Sequence, residues 1–389
     1  MQPLGIDLIA AARPNFMKVA PLYHVLHDQP WCRLRLVHTG QHYDANMSDA
    51  FFRDLGLPRP DLHLGVGSGS HAEQTANVMI AYEGACVAER PDLCIVVGDV
   101  NSTVACALVA SKLWIPVAHL EAGLRSGDRS MPEEINRLVT DTLADILWTP
   151  SPDGDAHLAA EGVVPEKITR VGNIMIDSYE LMRERIDAAG ERRRLGLENR
   201  AYAVVTLHRP SNVDAAAPLT ALVNQLTRMA VRLPLVFPVH PRTRKNLEAF
   251  GLWSKLADAP NLQVIEPLGY VDFMSLVCGA HLTITDSGGI QEETTYLGIP
   301  CLTLRTTTER PITITEGTNR LVTAAELLPA LDEILAGRWP RGRKPQLWDG
   351  HTAARVAADI RRRLLGVPPR VAEATAVPVA ANRRTLGNA

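Results

Sequence analysis

Three carboxylates occupy positions from which chemistry is commonly done. Asp99 lies in Val96-Val97-Gly98-Asp99-Val100-Asn101, Glu121 in His119-Leu120-Glu121-Ala122-Gly123-Leu124-Arg125, and Glu133 in Pro132-Glu133-Glu134. Asp99 and Glu121 each follow a short apolar run, and Glu133 opens a helical segment. An acid directly after a buried strand can simply cap the next helix, and Asn101-Ser102-Thr103 leaves that reading open for Asp99. Three acids gathered at one rim repel one another, which favours a retained proton and suits general acid–base work.

Cations and phosphate-type loops provide the complement. Arg13 and Lys18 flank a Pro-started helix in Ala10-Ala11-Ala12-Arg13-Pro14-Asn15-Phe16-Met17-Lys18. That loop lacks GxGxxG, so it does not predict a dinucleotide site; it suits an anion, or equally a pair of surface cations. Leu207-His208-Arg209-Pro210-Ser211-Asn212 and Val239-His240-Pro241-Arg242 follow strand-like runs in the second half. The most specific segment is Thr285-Asp286-Ser287-Gly288-Gly289-Ile290-Gln291-Glu292-Glu293. Ser287, Gly288 and Gly289 let backbone N–H groups approach a phosphate as a helix begins. Glu293, one turn in, is placed to accept both hydroxyls of a ribose, and Arg310 in the following Arg305–Pro311 loop adds positive charge. His24, His27 and His63 have no partner at metal spacing, and Gly65–Ser70 carries no lysine, so neither a metal site nor a P-loop is expected. No cofactor is called for.

The elements that must position these residues alternate between short apolar runs and helical periods. Strands are predicted at Gly5–Ala11, Arg33–Thr39, Leu93–Val97, Val117–Leu120 and Ile146–Thr149, with helices at Met17–His27, His71–Glu89, Ser102–Leu113 and Glu133–Ala144. The alternation breaks at the charged stretch Arg183–Arg200, read as a linker or an exposed helix end. It resumes with strands at Tyr202–Leu207, Leu235–Val239, Leu262–Ile265, Leu282–Thr285, Cys301–Leu304 and Leu321–Thr323. Continuously apolar strands separated by helices indicate parallel sheets covered on both faces, with ligands beyond the C-terminal strand ends. The fold class is therefore α/β, with two doubly wound Rossmann-like domains facing a central cleft. The first covers 1–172 and is joined by a C-terminal helix over 351–366; the second covers 173–350, and 367–389 reads as a loose tail.

The totals agree with two domains in 389 residues. With 40 Lys+Arg against 43 Asp+Glu, the net charge of −3 argues against nucleic-acid or membrane-surface partners. The 6 cysteines form no CxxC pair and read as buried thiols. The N-terminus lacks a signal-peptide pattern, and no run approaches the ~18 apolar residues of a membrane span, so a cytoplasmic protein is predicted.

These motifs together resemble the non-hydrolysing UDP-N-acetylglucosamine 2-epimerases, which have the GT-B fold. The resemblance is carried by Arg13-Pro14 with Lys18, Thr39-Gly40-Gln41-His42, Gly98-Asp99, Glu121–Arg125, Pro132–Arg137, His208-Arg209, Asp286–Glu293 and Thr308–Pro311. It implies that Asp99, Glu121 and Glu133 are acid/base carboxylates and that His208 sits by the leaving UDP. It further implies that Ser287, Gly288, Gly289 and Arg310 hold the phosphates and Glu293 the ribose, with Arg13 and Lys18 completing the site. A UDP-sugar substrate and a homodimer follow from the same resemblance. Some bacterial members use an Arg-Gln pair in a second, activating site; Gly67-Ser68 stands there in this chain, which argues against activation by substrate. Relatives acting on diacetamido uronic acids, a GT-B glycosyltransferase, a hydrolysing epimerase and a nucleotide-sugar sensor are the rival readings.

Overall fold

The computed structural model describes residues 2–11, 13–40, 55–198 and 200–366; Gln41, His42 and the stretch 367–389 lie outside it, as does the side chain of Arg13. Every strand pairing is parallel, and the strands form two sheets. The first contains β1 (Leu4–Ala10), β2 (Cys32–His38), β3 (Leu62–His63), β4 (Leu93–Val97), β5 (Val117–Leu120), β6 (Ile146–Thr149) and β7 (Ile168–Arg170). Its order is β3-β2-β1-β4-β5-β6-β7. The second contains β8 (Ala203–Thr206), β9 (Leu235–Pro238), β10 (Leu262–Ile265), β11 (Leu282–Thr285), β12 (Cys301–Thr303) and β13 (Asn319–Leu321), in the order β10-β9-β8-β11-β12-β13.

Both faces of the central strands are covered, which is why they read as unbroken apolar runs. In β4, Leu93, Ile95 and Val97 enter one core, while Cys94 and Val96 enter the other with Cys106 and Val117. This is the two-residue alternation of a strand buried on both sides. The strand order reverses between β1 and β4, and again between β8 and β11. Loops leaving two such neighbours run to opposite faces of the sheet and open a crevice at its carboxyl edge. The loop after β4 carries Asp99, those after β8 and β11 carry His208 and Ser287, and Lys18 stands in the helix Arg13–His27 that follows β1.

The chain ends where it began. Helix Thr352–Leu365 packs on helix Arg13–His27. The Trp148 indole donates to Asp359 Oδ2 (2.8 Å), and the Trp348 indole donates to the Pro150 carbonyl (3.0 Å). The start of this helix has no capping side chain of its own. Asp177 supplies one from helix Ile174–Ala188, accepting from the Thr352 and Ala353 amides at 3.1 and 2.8 Å.

Several local expectations are corrected. The last strand lies two residues earlier than Leu321–Thr323, and β3 and β7 are short edge strands without an apolar run to announce them. Of the two readings of Arg183–Arg200, a linker or an exposed helix end, the structure bears out the helix end. The first part of that stretch ends helix Ile174–Ala188, and Glu191–Arg194 forms one further turn in which Arg194 pairs with Glu191.

Replacing Asp177 by Ala strands two buried amides at a helix start, so Asp177→Ala is expected to cost about 1–2 kcal/mol. A lowered urea midpoint with an unchanged slope checks this; an unaltered midpoint refutes the cross-chain cap.

Candidate active site

Beyond β4 the chain turns at Gly98, with φ +70°. A Cβ there would stand 3.3 Å from Lys18 Nζ and 3.4 Å from Glu121 Oε2, so glycine keeps these two groups close to the turn. Asp99 is not the helix cap; Val100 holds that position without a side-chain bond. Instead Asp99 Oδ2 accepts from Arg137 Nε (3.0 Å), and its carbonyl accepts from Asn136 Nδ2 (2.9 Å). Glu121 is buried, adopts φ +71°, and forms an ion pair with Lys18. Its other oxygen, Oε1, has no hydrogen-bond partner among the described residues.

Glu133 stands on the first turn of helix Pro132–Leu143, and the next residue, Glu134, is buried against Arg137. The Glu134 carboxylate also accepts from the Ser126 and Gly127 amides, both at 3.0 Å. The acids therefore do not simply face one another. Lys18 neutralises Glu121, and Arg137 neutralises Asp99 and Glu134, which corrects the picture of unrelieved repulsion. Burial opposes the charge on Lys18, but Glu121 and Asp99 outweigh it and hold the ammonium above its ordinary pKa.

On the other sheet the organiser is Asp286. It is fully buried, accepts from the amides of His208 (3.1 Å) and Arg209 (2.9 Å), and bonds Asn212 Nδ2 and His208 Nδ1 at 3.0 Å each. Burial pushes its pKa up, yet these bonds, led by those of His208, bring it below the ordinary aspartate range. Helix Gly288–Leu297 starts next to it, with Ser287 at the cap position and making no capping bond. A Cβ on Gly288 would fall 2.8 Å from an Arg310 guanidinium nitrogen and 2.9 Å from Glu309 Oε1. Gly289 has open space in front of it.

Arg310 is buried between Glu292 (2.7 Å) and Glu309. Burial disfavours its charge, but the two glutamates more than restore it, and its pKa is raised. The raised carboxylates lie on this side of the crevice. Glu293 is pushed up to about 8, chiefly by burial; a hydrogen bond from the Tyr270 hydroxyl (2.8 Å) opposes the rise.

These groups meet at a cavity of about 370 Å³. Lys18, Asp99, Glu133 and Arg137 line it from the first sheet, and Ser287, Gly288, Gly289, Glu293 and Arg310 line it from the second. Glu121 stands beside Lys18. His208 opens instead on a neighbouring cavity of about 650 Å³, which shares Glu133 and Arg209 with the first. Asp286, Arg137, Glu292 and Tyr270 escaped assignment from the sequence. Glu133 and Arg137 are four residues apart on one helix, a spacing that puts both on one face and signals the pair.

A phosphate-type helix start on one doubly wound sheet, facing a carboxylate-rich edge on another, defines a nucleotide-sugar enzyme of GT-B architecture. The chain matches the family described as UDP-N-acetylglucosamine 2-epimerase over residues 24–361. It is 41% identical over 327 residues to the UDP-N-acetylglucosamine 2-epimerase of Methanocaldococcus jannaschii, covering 82% of this chain and 88% of that one. It is also 41% identical to the UDP-2,3-diacetamido-2,3-dideoxy-D-glucuronate 2-epimerase of Pseudomonas aeruginosa, covering 83% of this chain and 89% of the relative. The crystal structure of the M. jannaschii enzyme with UDP-GlcNAc and UDP superposes with a TM-score of 0.82 at 38% identity, covering 91% and 99% of the two chains. The chain belongs to the UDP-N-acetylglucosamine 2-epimerase family.

The Glu293 assignment predicts a pH signature. Between its ordinary 4.5 and about 8 the folded state holds a proton that the unfolded state has lost, so stability falls as pH rises through that window. Glu293→Gln abolishes this linkage, and the Tm of the variant should gain on wild type from pH 5 to pH 9. A constant Tm difference refutes it.

Proposed function

We propose that this protein interconverts UDP-N-acetylglucosamine and UDP-N-acetylmannosamine by eliminating UDP and adding it back. The observation that carries this reading is the single cavity in which Asp99 and Glu133 face Ser287, Gly288, Gly289 and Arg310. The C2–H of the sugar has no adjacent carbonyl, so direct deprotonation is very unfavourable. Elimination couples it to departure of the diphosphate. A carboxylate takes the C2 proton, the C–H electron pair forms the C1–C2 double bond, and the anomeric C–O pair leaves with UDP. The 2-acetamidoglucal then accepts the UDP oxygen at C1 and a proton on the opposite face of C2.

In this scheme Asp99, Glu121 and Glu133 carry the protons. Arg310 and the amides of Ser287, Gly288 and Gly289 take the growing diphosphate charge, His208 and Arg209 approach it from the adjoining cavity, and Glu293 holds the ribose. Arg13 and Lys18 complete the anion site from the first sheet. Such preorganised charge stabilisation is worth on the order of 10²–10³ in rate per group.

The diacetamido uronate reading has a relative of equal identity behind it. An added sugar carboxylate calls for a cation with charge to spare. Lys18, Arg137 and Arg310 in the cavity already face carboxylates, whereas Arg209, which also lines it, donates to the Asp286 backbone carbonyl and could meet such a group, so the substrate panel below decides between the two sugars.

The same reading takes residues 1–172 and 173–350 as the two domains, moving about a hinge between 170 and 200. It also takes the protein as a homodimer. Helix His71–Ala88 leaves Ile80 70% and Val87 74% exposed, and Met79 and Ile135 line a shallow groove beside it, an apolar face suited to a second copy. No helix among the described residues is long and apolar enough to cross a membrane. The 6 cysteines are unpaired, which supports a cytoplasmic setting.

Incubation with UDP-N-acetylglucosamine alone in deuterated water should give the manno isomer, with deuterium at C2. Free N-acetylmannosamine would mean a hydrolysing enzyme, and no change without an acceptor would favour a transferase. A panel of UDP-2-acetamido sugars then decides the sugar. Asp99→Asn is expected to keep UDP affinity and lose about 10²–10⁴ in kcat; near-normal turnover removes Asp99 from the chemistry. His208→Ala should weaken diphosphate handling, and unchanged kinetics would overturn that role.

A further inference from the structure

His119 lies on β5, is fully buried, and lines neither cavity. Its two ring nitrogens nevertheless connect the catalytic turns. Nε2 is 2.8 Å from the Gly98 carbonyl, immediately before Asp99, and Nδ1 is 2.6 Å from Asp141 Oδ1. The carbonyl can only accept. Asp141 accepts as well: burial pushes its carboxyl up, but His119, Arg125 and the Gly123 amide together hold it below the ordinary aspartate range.

The second oxygen of Asp141 reaches the other turn. Oδ2 accepts from the Gly123 amide (3.0 Å) and from Arg125 (2.7 Å). Gly123 has φ +78°, and a Cβ on it would run into the Gly154 backbone, so this turn is closely packed. Glu121, two residues earlier, holds a left-handed conformation that is uncommon for a residue other than glycine and persists only where the surroundings enforce it. Arg125 passes the chain on to Glu161 through two bonds of 2.7 Å. Imidazole, carboxylate, guanidinium and carboxylate thus alternate along the cluster.

We propose that His119 is a positioning residue whose two ring nitrogens tie the Asp99 turn and the Glu121 turn to one buried carboxylate, Asp141. Its effect on turnover rests on the reaction proposed above. Asp141 sits on helix Pro132–Leu143, which also presents Glu133 and Arg137. All three acids are therefore set from one helix, and the phosphate-holding groups of the other sheet are not touched by this clamp.

Loss of the clamp displaces the carboxylates while leaving UDP contacts in place, and a displacement of about 1 Å costs on the order of 10² in rate. His119→Ala is therefore expected to lower kcat about 10²-fold, with the Kd for UDP within about twofold of wild type. His119→Gln, which keeps one amide donor, should recover part of the loss. A folded His119→Ala enzyme with near-normal kcat, or a kcat loss matched by an equal loss of UDP affinity, overturns the proposal. If His119→Ala does not fold, Asp141→Asn makes the same test, because its one amide oxygen cannot serve His119 on one side and Gly123 with Arg125 on the other.

A second measurement needs no substrate. The Gly123 amide, held by Asp141, should exchange with solvent faster in folded His119→Ala than in wild type. Unchanged exchange at Gly123 refutes the clamp. A wild type that fails to epimerise would strike at the proposed reaction, while this exchange rate still decides the role of His119.

Discussion

Charge inside a poorly solvated crevice must be matched locally, and that constraint organises both sheet edges. Lys18 answers Glu121, Arg137 answers Asp99 and Glu134, and Arg310 answers Glu292 and Glu309. Each pair is largely buried, where an unmatched charge is costly. In the proposed reaction, a diphosphate entering this cavity would meet Lys18, Arg137 and Arg310 already engaged with carboxylates, and drawing on them would loosen an acid for proton transfer. The same matching fixes the side chains in place, because a guanidinium or ammonium shared between two acids has few alternative positions.

The rest of the architecture serves that arrangement. The reversal of strand order in each sheet splits neighbouring loops apart, so the functional loops stand at a carboxyl edge with room between them. Glycines are kept where a side chain would fill that room: Gly98 beside Lys18 and Glu121, and Gly288 beside Arg310 and Glu309. Asp286 and Asp141 play corresponding parts in the two sheets. Each is a buried carboxylate that gathers backbone amides and a histidine, and each lies behind a functional turn without lining either cavity.

Much of this was legible in the sequence because burial on both faces leaves an unmistakable trace. Leu93–Val97 is apolar throughout, Val117–Leu120 and Ile146–Thr149 are so apart from His119 and Thr149, and the strands stand at those residues. β3 and β7 left no such trace; they are two and three residues long at the sheet's edges, and their residues are half-buried or exposed. The acids and the Ser-Gly-Gly turn were visible as residue types at strand ends. Their supports were not. Asp286 reads as the first letter of a glycine motif, and nothing local shows that it reaches back to residues 208–212. Asp141 looks like one more polar residue of an amphipathic helix. Its partners Gly123 and His119 come from a turn and a strand 18 and 22 residues away, distances at which one-dimensional patterns carry no information.

The return of the C-terminal helix to the first sheet, fastened by Trp148 to Asp359 and by Asp177 to its first turn, means that the polypeptide crosses the seam twice. A single tether lets two bodies twist and drift in any direction. A double one, like a door hung at top and bottom, leaves a swing about the line joining the two crossings and suppresses sliding. On the reaction proposed for this site, the two edges would part to admit a nucleotide sugar and come together again in the same alignment, which matters for an intermediate that must be recaptured by the very diphosphate that left it.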